Sequence, residues 1–131
     1  MEEKIIQPSD LELEILHLLW KHQPTTVRFI HEEISKNRAI GYTTILKQMQ
    51  RMHDAKKGLV KRYKVGKVHY YSAIPEETDV QNGLLKRFVK TAFDGAAMKL
   101  VLQALGQTKT TDQELDALQN WLNEQKKQNN E

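Results

Sequence analysis

Residues 36–67 hold ten cations (Lys36, Arg38, Lys47, Arg51, Lys56, Lys57, Lys61, Arg62, Lys64 and Lys67) against one anion, Asp54. In a chain of net charge +3, that stretch concentrates a positive field of the kind that suits a polyanion. The chemistry on offer is non-covalent. Lysine brings a point charge to a phosphate, and arginine a planar fork that matches the edge of a guanine. Lys47 and Arg51 are four residues apart, so on a helix they share a face. Thr43 and Thr44 come just before them, where hydroxyls and free helix-start N–H groups suit a phosphate or a thymine methyl. With Tyr42 and Gln48 they form a candidate base-reading set, and Lys64 and Lys67 form a candidate phosphate clamp.

Other chemistry finds little support. The chain has no cysteine, which excludes disulfides and thiolate metal sites. Glu12/Glu14 and Glu32/Glu33 fall on solvated faces by helical phasing, and His17 and His22 do not share a face suited to a metal. No phosphate-binding or dinucleotide glycine pattern is present, and no Ser/His/Asp set is suggested. The reading is therefore of a non-enzyme with no cofactor and no metal. No segment reaches the roughly 20 apolar residues of a membrane span, and the start lacks a signal-type apolar run, so a cytoplasmic location is expected.

The elements that must position these residues follow from caps and periodicity. Ser9 and Glu12 form a capping box ahead of Leu11, Ile15, Leu18 and Leu19, so a helix is predicted from Ser9 to His22, ended by Pro24. Thr25 and Thr26 are candidate caps for a second helix striped by Val27, Ile30 and Ile34. His31 reads as a surface residue. A third helix starts at Tyr42, Thr43 or Thr44 and buries Ile45, Met49 and Met52. Two helices joined by a short polar link, the second rich in long polar side chains, form a helix-turn-helix pattern. Residues 59–72, β-branched and aromatic around Gly66 and Lys67, read as a β-hairpin wing.

The fold class expected is mainly α with a small β-hairpin wing: an N-terminal winged helix-turn-helix over residues 1–75 and a helical dimerisation arm over residues 76–131. Three helices are predicted in the arm. Asp94-Gly95 breaks the first and Gly106 ends the second. A Thr111/Glu114 capping box starts the third, which frays from Lys126. Leu84, Phe88, Leu100, Val101, Leu105, Leu115, Leu118, Trp121 and Leu122 are its candidate dimer contacts, because so short an arm has little chain of its own to bury them. A homodimer would set two reading helices on one face of a duplex with a palindromic operator.

The order of parts resembles the penicillinase-repressor family (BlaI/MecI/CopY type) of bacterial winged-helix regulators. The matching residues are Leu11-Glu12-Leu13-Glu14-Ile15-Leu16, Leu19-Trp20, Thr26-Val27-Arg28, Gly41-Tyr42-Thr43-Thr44-Ile45-Leu46 and Arg51. Lys57-Gly58-Leu59-Val60, Gly66-Lys67, Tyr70-Tyr71, Phe93-Asp94-Gly95 and Leu100-Val101-Leu102 follow. The resemblance implies a homodimeric repressor on a dyad-symmetric operator, with a membrane-bound sensor metalloprotease as a partner that cleaves the helix carrying Leu100-Val101-Leu102. Typical members have Asn-Phe directly after that run; Gln103 and Ala104 stand there here. The spacing from Arg51 to Gly58 is about two residues longer than is common in the family. Two alternatives are a winged-helix protein-interaction module, against which the basic balance of residues 36–67 argues, and a DNA-binding activator, which shares the composition of a repressor.

Overall fold

The computed structural model describes residues 7–56 and 58–130. Lys57 of the basic stretch, the first six residues and Glu131 lie outside the described residues. The elements in order are α1 (Asp10–His22), α2 (Val27–Ser35), α3 (Tyr42–Asp54), β1 (Val60–Val65), β2 (Val68–Ala73), α4 (Glu77–Ala92), α5 (Ala97–Gln107) and α6 (Asp112–Asn129). The chain divides into two compact units that meet inside α4, between Lys86 and Arg87.

In the first unit, local chemistry sets the helix starts. Ser9 Oγ accepts from the Glu12 N–H and the Glu12 carboxylate accepts from the Ser9 N–H, closing the expected capping box on α1. Thr26 caps α2 by accepting from the Phe29 N–H at 3.1 Å. Thr25 takes a different part. Its N–H and C=O exchange hydrogen bonds with Tyr71 at 3.0 and 2.7 Å, so it adds a one-residue third strand to the wing.

The three helices and the wing share one core. Ile15, Leu16 and Leu19 of α1, Val27, Ile30 and Ile34 of α2, and Ile45, Met49 and Met52 of α3 meet Leu59, Val60 and Tyr71. Helical spacing predicts the stripes of α2 and α3; on α1 it names Leu11, Ile15, Leu18 and Leu19, whereas Leu16 is buried and Leu11 and Leu18 are half-buried. Burying each aliphatic side chain contributes about 1.5–3 kcal/mol. The wing is an antiparallel hairpin with Arg62 opposite Tyr71, Tyr63 opposite Tyr70 and Lys64 opposite His69. Gly66 takes φ +62 at the first central position of its two-residue loop, a conformation open to glycine without strain. The hairpin is tied back at its base. Trp20 Nε1 donates to the Pro75 carbonyl at 3.0 Å, and Gln23 Oε1 accepts from the Ala73 N–H at 2.8 Å. Arg38 pairs with Glu14 at 2.7 Å, which fixes the turn between α2 and α3 to α1. Val80 is buried, so the first turns of α4 belong with this unit.

The second unit is helical. Asp94 at φ 49 and Gly95 at φ 85 turn the chain between α4 and α5, and the Gly95 N–H caps the Val89 carbonyl at 2.9 Å. Thr111 and Glu114 close the second capping box. Two expectations are corrected. Gly106 does not end α5, which continues to Gln107, and the Thr108 hydroxyl donates to the Ala104 carbonyl at 3.0 Å. The final helix does not fray from Lys126 but runs to Asn129, with Lys126 and Lys127 placed favourably at the negative end of its dipole. No residue of α5 or α6 is buried. No helix among the described residues is long and apolar enough to cross a membrane.

Candidate nucleic-acid interface

The burial of Ile45, Met49 and Met52 decides which way α3 faces. Thr43, Thr44, Lys47, Gln50 and Arg51 are all exposed on its outer side. Gln48 is half-buried, toward the edge of that surface. Tyr42 is exposed at the start, with its ring edge-on to His31 at 5.7 Å. His31 is not simply a surface residue: its Nε2–H donates to the Ile40 carbonyl at 2.8 Å and braces the turn that launches α3. Gly41 caps α3 without any side-chain hydrogen bond, and its first turn carries no acid. The leading N–H groups and the positive end of the dipole are therefore available to an anion.

The cations of the basic stretch fall into two sets. Lys36 and Arg38 are engaged with Glu33 and Glu14. Lys47, Arg51, Arg62, Lys64 and Lys67 have no carboxylate partner among the described residues. Among the described residues, the ion pairs of these cations thus fall at the start of the stretch, and Lys47 and Arg51 on α3 and Arg62, Lys64 and Lys67 on the wing are left without one.

Sequence reasoning missed three residues here. Gln50 stands four residues after Leu46, which places both on one side of α3. Arg28 sits in the first turn of α2 and pairs only with Glu32, at 3.1 Å in the open. Arg62 is the third. Its Nη1 donates to the Tyr71 hydroxyl at 3.2 Å, and the guanidinium lies 5.9 Å from the centre of the Tyr71 ring. Arg62 stands in the sequence only as one of ten cations and Arg28 outside that stretch, because what brings them together is how the wing pairs and docks beside α2 and α3.

Next to Arg62 on the same wing face, His69 is held below its ordinary pKa of 6.5, first by burial of the ring and then by Arg62, Lys64 and His53. Its Nδ1 is buried without a hydrogen-bond partner among the described residues.

The candidate dimer contacts are placed as follows. Leu84, Leu100, Leu118 and Leu122 are half-buried, while Phe88, Val101, Leu105, Leu115 and Trp121 are exposed. Trp121 at 57% and Leu102 at 64% are far more open than large apolar side chains in a completed core.

Three helices, a hairpin wing and an outward basic helix make this a winged helix-turn-helix protein. The penicillinase repressor family model matches residues 8–124, and the chain belongs to that family, one of repressors rather than enzymes. It is 28% identical over 123 residues to the methicillin resistance regulatory protein MecI of Mammaliicoccus sciuri, covering 94% of this chain and 98% of that one. It is 29% identical over 128 residues to the penicillinase repressor of Bacillus licheniformis, covering 98% of each. The transcriptional regulator BlaI of Mycobacterium tuberculosis (strain ATCC 25618 / H37Rv) is 31% identical over 100 residues, 76% of this chain and 71% of that one. The solution structure of the DNA-binding domain of the repressor BlaI aligns with 60% of this chain and 93% of its own, at 33% identity and a TM-score of 0.49.

Proposed function

We propose that this chain is a transcriptional repressor that binds duplex DNA as a homodimer on an operator with dyad symmetry. The observation that carries the reading is the outward face of α3, where Lys47 and Arg51 are exposed and unpaired beside Thr43, Thr44 and Gln50. This helix enters the major groove, with Arg51 reaching a guanine edge. Tyr42, Thr43, Thr44, Lys47 and Gln48 complete the base-reading set along the helix, the Thr43 and Thr44 hydroxyls at its start also suiting a phosphate, while Lys64 and Lys67 clamp phosphates from the wing.

The homodimer is supported by α5 and α6, whose apolar residues find no interior of their own. A second copy covers Phe88, Val101, Leu105, Leu115 and Trp121, and sets the two reading helices about one helical repeat apart, about 34 Å. The division of labour is a DNA-binding domain over residues 1–75 and a dimerisation domain over residues 76–131. The family resemblance implies a membrane-bound sensor protease as a releasing partner, and Gln103-Ala104, standing where typical members have Asn-Phe, count against cleavage directly after Leu100-Val101-Leu102.

The test is selection of the full chain on random duplexes, followed by anisotropy titration of the recovered sequence. Recovery of a dyad-symmetric site, bound at two chains per duplex, is expected. With about six to ten phosphates neutralised per dimer, affinity falls about 10³–10⁵-fold between about 50 and about 200 mM salt. Recovery of no preferred sequence, or affinity indifferent to salt, would overturn the reading.

A further inference from the structure

Between the start of α2, one side of α3 and the wing lies a cleft of about 470 Å³. Its volume is in the range of small-molecule sites, which combine an apolar lining with a few convergent polar groups. The apolar part here is Val27, Leu46, Val68 and the ring of Tyr71. The polar part is cationic: Arg28 from α2, and Arg62 and Lys67 from the wing. No carboxylate among the described residues lines the cleft. Three positive side chains around one concavity focus a field that a cation or a neutral apolar molecule would not satisfy.

The cations differ in readiness. Arg62 is held in place by the Tyr71 hydroxyl at 3.2 Å, so its remaining N–H groups are pre-oriented. Arg28 is engaged only by the exposed Glu32, a pairing in open solvent that an incoming anion can replace at little cost. Lys67 has no ion-pair partner among the described residues. His69 stands on the same wall with Nδ1 buried and unpaired.

We infer that this cleft binds a small organic anion, a phosphate or carboxylate joined to an aromatic or aliphatic body, and that its occupancy competes with DNA. The anionic group sits among Arg28, Arg62 and Lys67, and the body lies on Leu46 and Val68. Competition follows from shared residues. Lys67 is a wing contact to the backbone in the reading above, and Tyr42 and Gln50 line the cleft from the helix that carries Lys47 and Arg51. This second half rests on the DNA-binding reading; the first half does not.

The test uses the full chain and three probes: 1-naphthyl phosphate, 1-naphthol and inorganic phosphate. Calorimetry without DNA is expected to show one naphthyl phosphate per chain, with naphthol and phosphate each at least about tenfold weaker. Amide shifts on binding should centre on Thr26, Val68 and His69. Arg28→Gln, at a side chain 83% exposed, should keep the melting profile and weaken the probe several-fold, as should Lys67→Gln. Naphthyl phosphate should also displace labelled duplex in proportion to its occupancy. Absence of saturable binding, or binding that both variants leave unchanged, would overturn the site. Saturation of the site with no loss of duplex affinity would overturn the competition. A chain that takes the probe but no duplex would overturn the DNA-binding reading and leave the site standing.

Discussion

Arg62 and Tyr71 face each other across the wing, with Nη1 of the guanidinium 3.2 Å from the tyrosine hydroxyl. The tyrosine is fully buried in the core, and Arg62 is half-buried and lines the cleft between α2, α3 and the wing. One side chain thus couples the hydrophobic centre to a surface cation. Tyr71→Phe keeps the ring and removes the acceptor, so the loss should be that of one charge-assisted hydrogen bond, about 1.5–3 kcal/mol. Urea unfolding of the variant checks the size. Because Arg62 then loses its orientation, duplex affinity should fall as well, by a factor of a few; an unchanged affinity would show that Arg62 takes no part in binding.

Arg51 and Lys67 should behave differently when removed. Arg51 is exposed on the outer face of α3, which the proposed function places in the major groove, so Arg51→Ala should cost about 1–3 kcal/mol on the operator and relax preference at one base position. Lys67 is exposed at the wing loop, so Lys67→Ala should weaken all duplexes alike and lower the salt slope by about one. Titration of operator and scrambled duplexes against both variants separates the roles. Equal losses on both duplexes for both variants would contradict them.

Acid should weaken the fold through His69. The folded ring resists protonation because it is partly buried and because Arg62, Lys64 and His53 are close by; Tyr71, packed edge-on at 6.4 Å, adds no charge. Well above the ordinary value of 6.5, both folded and unfolded rings are neutral and the stability is fully present. As pH falls through that value the unfolded ring takes up a proton first, and stability drops until the pH passes the lowered folded value. The urea midpoint should therefore decline as pH falls through 6.5, and His69→Gln should decline less steeply.

Much of the fold was legible because its determinants are local. Ser9 with Glu12, and Thr111 with Glu114, mark helix starts within four residues, and the stripes Ile15/Leu19 and Ile45/Met49/Met52 mark the faces that are buried. The failures are equally physical. Gly106 looks like a stop, but a single glycine costs a helix only about 1 kcal/mol, and the following turn is held by Thr108. Thr25 looks like a cap, but its partner Tyr71 lies 46 residues away in the wing, beyond any local pattern. The same distance dependence hid Arg28 and Arg62. Their importance comes from tertiary placement beside α3, whereas Lys47 and Arg51 announce themselves by sharing one helical face.

The apolar arm offers the last prediction. Val101 and Leu105 are one turn apart on α5, and both are exposed, at 42% and 36%. Neither is needed to fill an interior, so charged replacements there should leave the helix content intact. Val101→Glu with Leu105→Glu would place two carboxylates on the surface that a second copy must cover. Desolvating unpaired charges at such an interface costs several kcal/mol, enough to shift a micromolar dimer to monomer. Light scattering should then report one chain where the parent reports two. Duplex affinity should fall steeply in the same variant, because each reading helix binds without its partner and the gain from tethering two half-site contacts is lost. A parent chain that is already monomeric at micromolar concentration would remove the dimer from the proposal. A monomeric variant that still binds the operator at parental strength would show that one reading helix and one wing suffice.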